Sequence, residues 1–497
     1  MIQLIYRIES DYMSKKRMLI VTSVILSVVT ISLGIVKLYQ TYALSNYIGA
    51  ETDTGIDVYI NDDSYVSIPA KGSGNVYYML TNTNPGTVKY GVAYQTTSGV
   101  TVKVYDTSED PATGTIEENG KKYIKLHLEN KNSTNKTIEL STVLGYENGG
   151  DLVVPSGVTL VTDTYTPPPS AAEYITKLYT DASKTTVTNN SITYNTAPSV
   201  SLMNDRLGGT TTSLDGGNIR YYGSSPNNYI YFNCETYPST NCELWRIIGV
   251  FDGKLKIIRN KSIGTYAWDN KDTSTGSESN NGKNDWTTAR LMKLLNPSDY
   301  YTNDSNDNSL GQSLYYNSAS GKCYSGSSNA TVDCNFTSTG IKNDATRELI
   351  SEETWNIGGW NSGFIYSNQF YRYERGTTVY SGRPTTWTGK IALAYPSDYG
   401  YAADLSKCVQ KLTGYNASAC TSNNWMYSNL SDGGYLLVPS SSNSYSVLNV
   451  YKYGYMGSYA SSNTYDAYNV APVLYLSTKP IIESGDGSST NPYQLSV

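Results

Sequence analysis

Residues 242–263 read CELWRIIGVFDGKLKIIRNKSI, in which two apolar runs flank the dipeptide Asp252-Gly253. An Asp-Gly dipeptide between apolar runs is a strong signal of a β-hairpin with a two-residue turn. We therefore predict two strands joined at this dipeptide.

The sequence that follows the hairpin shows helical patterns first and strand-like runs later. Residues 286–300 and 344–360 have helical spacing that stops at Pro297 and at Gly358-Gly359 respectively. The later runs GKIALAYPSD, GGYLLVPSS and VAPVLYLS are typical of strands. Helices followed by strands favour an α+β domain, which we assign to residues 205–497.

On the N-terminal side of the hairpin, residues 50–166 alternate between short β-like runs such as YIKLHLEN and turns rich in Gly, Asn and Pro. This pattern predicts an all-β immunoglobulin-like sandwich that serves as a stalk. Residues 167–204 are predicted to be a Pro-rich linker and a short helix, with Ser170 as the helix N-cap and an extended polar connector behind it.

A membrane segment is predicted at residues 18–36, MLIVTSVILSVVTISLGIV, because 19 residues without a charge can span a bilayer as one helix. Lys15-Lys16-Arg17 precede it, so residues 1–17 should form a cytoplasmic tail and the remaining domains should be extracellular. The alternative is a cleaved signal peptide, but its apolar region is usually shorter. Met13 is an alternative start.

The length of 497 residues predicts more than one domain. The net charge is −6 and charged residues make up 16% of the chain, with no basic run beyond the extreme N-terminus. Nucleic acid is therefore not expected as a partner.

All six cysteines lie between residues 234 and 420 and fall into three close pairs, as expected of an exported protein. Zinc is the alternative, but the sequence has no C-x-x-C motif and no histidine near these cysteines. We predict disulfides for the pairs Cys234 and Cys242, Cys323 and Cys334, and Cys408 and Cys420.

Tyrosine is over-represented, with 48 tyrosines against 5 phenylalanines. Because the hydroxyl needs water or a partner, this excess favours surfaces that are partly wet. Residues 441–470 contain seven Tyr, seven Ser and four Asn, a mixture that antibody paratopes also use. In YKYGYM, residues 451–456, alternate tyrosines on a strand would share one face. The alternative is an exposed β-structure with tyrosines on its outer side.

The sequence offers little machinery for catalysis. The one histidine, His127, lies in a β-like run of the predicted stalk, so a Ser-His-Asp or Cys-His site is not expected in the C-terminal domain. The carboxylates of Glu352, Glu353 and Asp398 could serve a glycosidase, but the first two are adjacent on a predicted helix and point apart. We predict no catalytic residue and no cofactor.

Two acidic segments could hold calcium. WDNKD, at residues 268–272, and NDSNDN, at residues 303–308, both offer oxygen ligands. The second lacks the Gly and the Glu of an EF-hand loop, because Ser309 and Tyr315 stand at those positions. We interpret both as polar loops and predict no metal site.

Several segments resemble a known family. The runs NIRYYGSSPNNYIYFNC, CELWRIIGVF, VAPVLYL and SGDGSSTNPYQLSV are similar to exported Firmicutes proteins with a C-terminal domain of the C-type-lectin-like, formylglycine-generating-enzyme-like fold. The resemblance covers roughly residues 170–497 and implies that fold. It does not imply the enzyme's activity, because Cys408 and Cys420 lack the enzyme family's close spacing.

Within that fold, residues 441–470 look like the ligand-binding segments of variable proteins from diversity-generating retroelements. The resemblance thus implies a bacterial or phage-derived origin and a variable contact surface near the C-terminus. The final strand of the family commonly contains V-R-P, whereas here Ala471 stands between Val470 and Pro472.

We therefore expect a single-pass cell-membrane protein, an adhesin or receptor, that binds an extracellular protein or glycan. The alternatives are a structural protein of the cell envelope and a cell-wall glycan hydrolase. The predicted ligand-binding residues are Tyr445, Tyr451, Tyr453, Tyr455, Tyr459, Asn463, Tyr465 and Tyr468.

Overall fold

The structure is a computed structural model of the 497-residue chain. It describes residues 44–51, 57–61, 64–82, 86–145, 152, 154–206, 217–269, 281–300, 314–316, 321–324, 331–360, 365–430, 433–456, 461–463 and 467–496. The chain is β-rich and divides into two compact units, Met1–Pro167 and Pro168–Val497. The predicted membrane segment at residues 18–36 lies outside the described residues. Among the helices that are described, none is long and apolar enough to cross a membrane.

The described part of the first unit consists of strands in two sheets. The order in the six-stranded sheet is β11-β6-β8-β4-β1-β2, and in the other sheet it is β10-β5-β9-β3, with β7 paired to β5. All pairs are antiparallel except β11 with β6. The strands are β1 (Leu44–Glu51), β2 (Asp57–Asn61), β3 (Ser64–Ile68), β4 (Ser73–Asn82), β5 (Val88–Gln95), β6 (Val100–Tyr105), β7 (Thr113–Ile116), β8 (Lys121–Asn130), β9 (Lys136–Gly145), β10 (Val158–Leu160) and β11 (Thr164–Tyr165).

Both sheets of the first unit contribute to one core. Along β8 every second side chain is buried, including Leu126 and Leu128, because successive residues of a strand face opposite sides of the sheet. These side chains join Tyr90 of β5 and Leu140 of β9 in a single apolar cluster. The alternating sequence pattern thus correctly indicated one buried and one outer face for this region.

The second unit mixes helices with strands. Its helices are α1 (Ala171–Asp181), α2 (Arg290–Leu295), α3 (Asp344–Leu349), α4 (Ser367–Glu374), α5 (Pro396–Tyr401), α6 (Ser418–Thr421) and α7 (Tyr427–Leu430). Its strands are β12 (Thr185–Asn189), β13 (Ile192–Ala197), β14 (Leu202–Asn204), β15 (Ile219–Tyr221), β16 (Tyr229–Phe232), β17 (Glu243–Phe251), β18 (Lys254–Arg259), β19 (Thr265–Ala267), β20 (Gly321–Tyr324), β21 (Thr331–Cys334), β22 (Glu353–Asn356), β23 (Thr386–Gly389), β24 (Ile391–Ala392), β25 (Gly434–Pro439), β26 (Ser446–Val450), β27 (Ser461–Asn463), β28 (Ala467–Asn469), β29 (Val473–Tyr475), β30 (Ile481–Ser484) and β31 (Gln494–Ser496).

The hairpin predicted from residues 242–263 is present as β17 and β18, with Phe251 opposite Lys254 across the Asp252-Gly253 turn. It lies in the middle of a nine-stranded sheet of order β12-β13-β14-β15-β17-β18-β29-β24, with β16 also paired to β17. Gly249 is required in β17, because a Cβ there would lie 2.1 Å from the carbonyl oxygen of Ile219 in β15. Within the predicted strand VAPVLYLS, Val473–Tyr475 forms β29 and pairs with β18.

Helix α1 has the predicted N-cap. Glu173 donates its backbone N–H to the Ser170 hydroxyl, and the Glu173 carboxylate accepts the backbone N–H of Ser170. This reciprocal pair is a capping box. The apolar side of the helix, including Ile175, is buried in the core of the unit.

Residues 185–204, which the sequence indicated as a connector, form β12, β13 and β14 of the sheet. The polar side chains that favoured a connector instead bond across the strands, where the hydroxyls of Thr185 and Thr196 lie 2.9 Å apart. Tyr194 and Met203 are buried. A few apolar side chains and cross-strand hydroxyl pairs thus suffice for a strand here.

The prediction of one helix over residues 344–360 was wrong in its second half. Helix α3 ends at Leu349, and residues 353–356 form β22, in which Trp355 lies opposite Trp387 of β23. The indole N–H of Trp355 donates to the carbonyl of Gly389 at 3.1 Å. Packing of this buried tryptophan outweighs the helical spacing of the sequence.

Two of the predicted disulfides are confirmed, Cys234 with Cys242 and Cys408 with Cys420. Cys323 and Cys334 lie on the paired strands β20 and β21, opposite Val332 and Gly321 respectively. Their side chains are outside the described set, so the third disulfide stays a prediction.

Candidate functional site

The tyrosines of YKYGYM lie in a tight turn and not on a strand, on which alternate tyrosines would share one face. Strand β26 ends at Val450. Beyond it the N–H of Gly454 donates to the carbonyl of Tyr451 at 2.7 Å, and the N–H of Tyr451 donates to the carbonyl of Tyr455 at 3.1 Å. Gly454 has a φ of +94°, a conformation that glycine adopts without strain. We call residues 451–456 the tyrosine turn.

The turn nevertheless brings three of the predicted rings together. The ring centroids of Tyr451 and Tyr453 lie 5.5 Å apart, and those of Tyr451 and Tyr455 lie 5.2 Å apart. Tyr453 is 56% exposed, whereas Tyr451 and Tyr455 are half-buried. The ammonium of Lys452 lies 5.0 Å from the centroid of the Tyr453 ring. The result is an aromatic surface with a cation at its edge.

Three other segments form hydrogen bonds with the backbone of the turn. The hydroxyl of Tyr399 in α5 donates to the carbonyl of Gly454 at 2.7 Å. The hydroxyl of Tyr427 in α7 donates to the carbonyl of Lys452 at 3.0 Å. The N–H of Met456 donates to the carbonyl of Leu412 at 2.9 Å. The rings of the turn are therefore presented on a fixed backbone.

The segment beneath the turn is closed by a disulfide. Cys408 and Cys420 are both buried and flank Leu412 and Tyr415. The hydroxyl of Tyr415 donates to the carbonyl of Gly400 at 3.0 Å, which ties this loop to α5. The disulfide thus supports the same layer that holds the turn.

The remaining predicted contact residues are distributed elsewhere. Tyr445 is half-buried and precedes β26, at the opposite end of that strand from the turn. Tyr468 is half-buried in β28, where its ring packs edge-on against buried Tyr435 with centroids 5.2 Å apart. Asn463 lies in β27 opposite Ser446, and its side chain is outside the described set. Among the described residues of the predicted set, ring contacts join only Tyr451, Tyr453 and Tyr455.

Tyr459 and Tyr465 lie outside the described residues, so their predicted roles are untested. Sequence reasoning missed Tyr399 and Tyr427, which hold the turn from 55 and 25 positions away. A single sequence contains no signal for such long-range hydroxyl contacts. Lys452, by contrast, lies within the quoted motif and could have been included.

A second cluster in this unit is a network of buried charged side chains. The guanidinium of Arg220 pairs with Asp205 at 2.5 Å and with Asp398 at 2.8 Å, and Lys256 pairs with Asp398 at 2.5 Å. All four side chains are at most 1% exposed. Burial alone would raise the pKa of Asp398, but Lys256 and Arg220 outweigh it and lower that pKa. Two cations balance two anions, so we interpret the network as structural.

The carboxylates that we considered for a glycosidase are each engaged by neighbours. Asp398 belongs to the buried network. Glu352 accepts a hydrogen bond from the hydroxyl of Tyr300 at 2.7 Å. Glu353 forms an ion pair with Lys254 and lies in β22, so its predicted place on a helix was wrong.

A cleft of about 730 Å³ lies beside the Asp252-Gly253 turn, lined also by α1 and by Lys184. The ammonium of Lys184 donates to the carbonyls of Thr180 at 3.1 Å and of Ala182 at 2.7 Å. It therefore stabilises the C-terminal end of α1, where a positive charge is favourable. We assign the cleft no separate role.

His127 lies in the first unit, on β8, and stacks on Tyr165 with ring centroids 3.7 Å apart. Burial lowers the pKa of His127, to which Lys103 also contributes, while Glu129 opposes the shift. Within the described ranges no group of three or more His, Cys, Asp or Glu side chains could hold a metal ion. Of the two weighed calcium segments, residues 303–308 lie outside those ranges, and Asp269 of the other accepts the backbone N–H of Lys283 at 2.7 Å.

No model of a known protein family matches the chain, and no curated protein sequence matches it.

Proposed function

We propose that this protein is a membrane-anchored extracellular adhesin or receptor that binds a protein or glycan ligand through the tyrosine turn. The anchor would be residues 18–36, and the first unit would act as a stalk. The apolar run that follows Lys15-Lys16-Arg17 supports the anchor. The disulfides of the second unit support an extracellular location, because disulfides are typical of exported proteins.

The observation that carries the proposal is an aromatic cluster on a fixed backbone, with one exposed ring, Tyr453, beside two half-buried ones. Ordering a flexible loop on binding opposes association, and a loop that is already fixed avoids that loss. Tyrosine rings add contact area with few rotatable bonds and an adaptable hydroxyl. Tyr451, Tyr453 and Tyr455 meet both conditions, because hydrogen bonds from three other segments hold their turn.

For the folds we propose an immunoglobulin-like sandwich in the first unit and a C-type-lectin-like domain in the second. Two mainly antiparallel sheets that share one core support the first assignment. A central hairpin, a closing strand VAPVLYL beside it and a C-terminal loop region rich in Tyr, Ser and Asn support the second. Diversification of residues 441–470 by a retroelement belongs to the same proposal.

We favour binding over catalysis because the carboxylates weighed for a glycan hydrolase are each bonded to a neighbouring side chain. We favour binding over a purely structural envelope role because the rings are clustered and held rather than spread along a sheet. A ligand-binding protein and a structural envelope protein would give different results in a binding experiment.

The test is binding of the full-length protein, in nonionic detergent, to a printed array of glycans and extracellular proteins. We expect saturable binding that is lost when Tyr451, Tyr453 and Tyr455 are all replaced by alanine. The control is Tyr65→Ala, which removes a 63% exposed ring from the first unit. Unchanged binding by a folded triple variant would falsify the site, and self-association without saturable binding would favour the envelope role.

A further inference from the structure

The tyrosine turn adjoins a fourth tyrosine, Tyr366, and a second lysine, Lys411, which are distant from it in the sequence. Leu412 connects the tyrosine turn to the segment that contains Ile365. Its N–H donates to the carbonyl of Ile365 at 3.0 Å, and its carbonyl accepts the N–H of Met456, in the turn, at 2.9 Å. Tyr366 and Lys411 are the chain neighbours of this bridge. The turn and these two residues therefore lie on adjacent backbone segments.

The two segments repeat one arrangement of a lysine over a tyrosine ring. The ammonium of Lys452 lies 5.0 Å from the centroid of Tyr453, and the ammonium of Lys411 lies 5.9 Å from that of Tyr366. Both lysines are exposed. We call Tyr366, Lys411, Tyr451, Lys452, Tyr453 and Tyr455 the tyrosine–lysine surface.

Charge is distributed unevenly between this surface and the rest of the chain. Residues 365–367, 411–416 and 451–456 contain two lysines and no acidic residue, although the whole chain has a net charge of −6. Exposed cations beside aromatic rings attract anions. The chemistry of this surface therefore matches a negatively charged ligand.

The area of the surface favours a glycan over a protein. A stable protein interface buries about 800 Å² on each partner. A tyrosine ring can bury about 150–250 Å² when it is fully covered, but Tyr366, Tyr451 and Tyr455 are already half-buried in the structure. The exposed part of these named side chains is smaller than one side of a standard protein interface. It suits a few sugar rings that stack on tyrosine faces.

We propose that the tyrosine–lysine surface binds an anionic polysaccharide, with sugar rings stacked on the tyrosines and carboxylates paired to Lys411 and Lys452. This inference rests on the proposed function and narrows its ligand to carboxylated glycans.

The test measures binding of the full-length protein to polygalacturonate, alginate and hyaluronan, each beside its carboxyl-methylated form. The methylated form keeps the sugar rings and removes the charge. We expect tighter binding of the charged form, by about two- to fivefold for each lysine engaged, and loss of the preference in 1 M salt. In the Lys411→Gln, Lys452→Gln double variant the preference should vanish while binding of the methylated form is retained.

The outcomes separate this inference from the proposed function. Equal binding of charged and methylated forms, binding of none of the three polysaccharides, or a preference that survives in the double variant would overturn the inference. Tighter binding of poly-L-glutamate than of any polysaccharide would also overturn it, because the ligand would then be an acidic protein. In each case array binding that still depends on Tyr451, Tyr453 and Tyr455 would leave the proposed function standing.

Discussion

Two sets of tyrosines lie in adjacent layers of the second unit and differ in what covers them. Tyr399 and Tyr415 are buried under the tyrosine turn, and their hydroxyls donate to the carbonyls of Gly454 and Gly400. Tyr453, in the turn above them, is 56% exposed. The buried hydroxyls are satisfied by backbone, whereas the ring of Tyr453 is open to solvent. Position in the layers, and not residue type, therefore separates a supporting tyrosine from an exposed one.

The largest expected difference between the layers is in stability. Tyr399→Ala removes a ring with 0% exposure and leaves a cavity, so we expect a loss of about 3–5 kcal/mol in the free energy of unfolding. Tyr453→Ala should change it by less than about 0.5 kcal/mol. All seven tryptophans lie in the second unit, so tryptophan fluorescence in urea follows this unit alone. Equal losses for the two variants would contradict the layered account.

The next effect concerns the backbone that joins the layers. Gly454→Ala puts a Cβ at a φ of +94°, 2.8 Å from Cγ2 of Thr421 and 3.1 Å from the carbonyl of Tyr415. We expect a loss of about 1–3 kcal/mol together with weaker ligand binding. Gly382→Ala is the matched control, because Gly382 also has a positive φ but no atom within 4 Å of the added Cβ. A smaller loss at Gly454 than at Gly382 would contradict the close fit of the turn.

Alkaline pH should distinguish a buried hydroxyl from an open one. Burial raises the pKa of Tyr399 well above 10. The unfolded chain loses this proton near pH 10 while the folded chain keeps it, so stability is fully present below pH 10 and falls above it. In Tyr399→Phe the fall between pH 10 and pH 11 should be smaller by about 1 kcal/mol.

At neutral pH Tyr399→Phe should also lose about 1 kcal/mol, because the hydrogen bond to Gly454 is removed. Tyr65→Phe serves as the control, since the Tyr65 ring is exposed. Urea unfolding at several pH values gives both quantities. The same alkaline fall in Tyr399→Phe and in wild type would show that this hydroxyl is not protected.

The smallest expected effect extends the comparison to the first unit, where His127 is partly covered by Tyr165. Its pKa is lowered by burial, so the unfolded chain takes up a proton near pH 6.5 while the folded ring stays neutral. Stability is therefore fully present above pH 6.5 and declines as the pH falls toward the folded pKa. NMR titration of this single histidine should give a pKa below 6.5, and a value above 6.5 would refute the assigned environment.

The sequence was sufficient for the elements that local signals define. Asp252-Gly253 located the central hairpin, Ser170 and Glu173 located the start of α1, and close spacing identified the two disulfides at Cys234–Cys242 and Cys408–Cys420. Each depends on residues near one another in the chain. Burial and long-range pairing do not. The polar sequence of residues 185–204 therefore predicts a connector, although these residues form β12, β13 and β14.

The site was predictable in composition but not in geometry. YKYGYM correctly indicated three neighbouring rings, yet the alternation implied a strand, and Gly454 permits the turn that forms instead. The excess of tyrosine over phenylalanine predicts wet surfaces, whereas several tyrosines are fully buried because a carbonyl lies within reach of the hydroxyl, as for Tyr399 and Tyr415. Composition alone cannot separate these two uses.

The most direct test of the account is the dissociation constant of the full-length protein for the array probe that gives the strongest signal, measured for Tyr453→Ala and for Tyr65→Ala. Both substitutions remove an exposed tyrosine ring, one from the tyrosine turn and one from the first unit. We expect Tyr453→Ala to weaken binding by at least about tenfold and Tyr65→Ala to leave it unchanged. Equal dissociation constants for both variants and wild type would contradict the claim that the tyrosine turn is the contact surface.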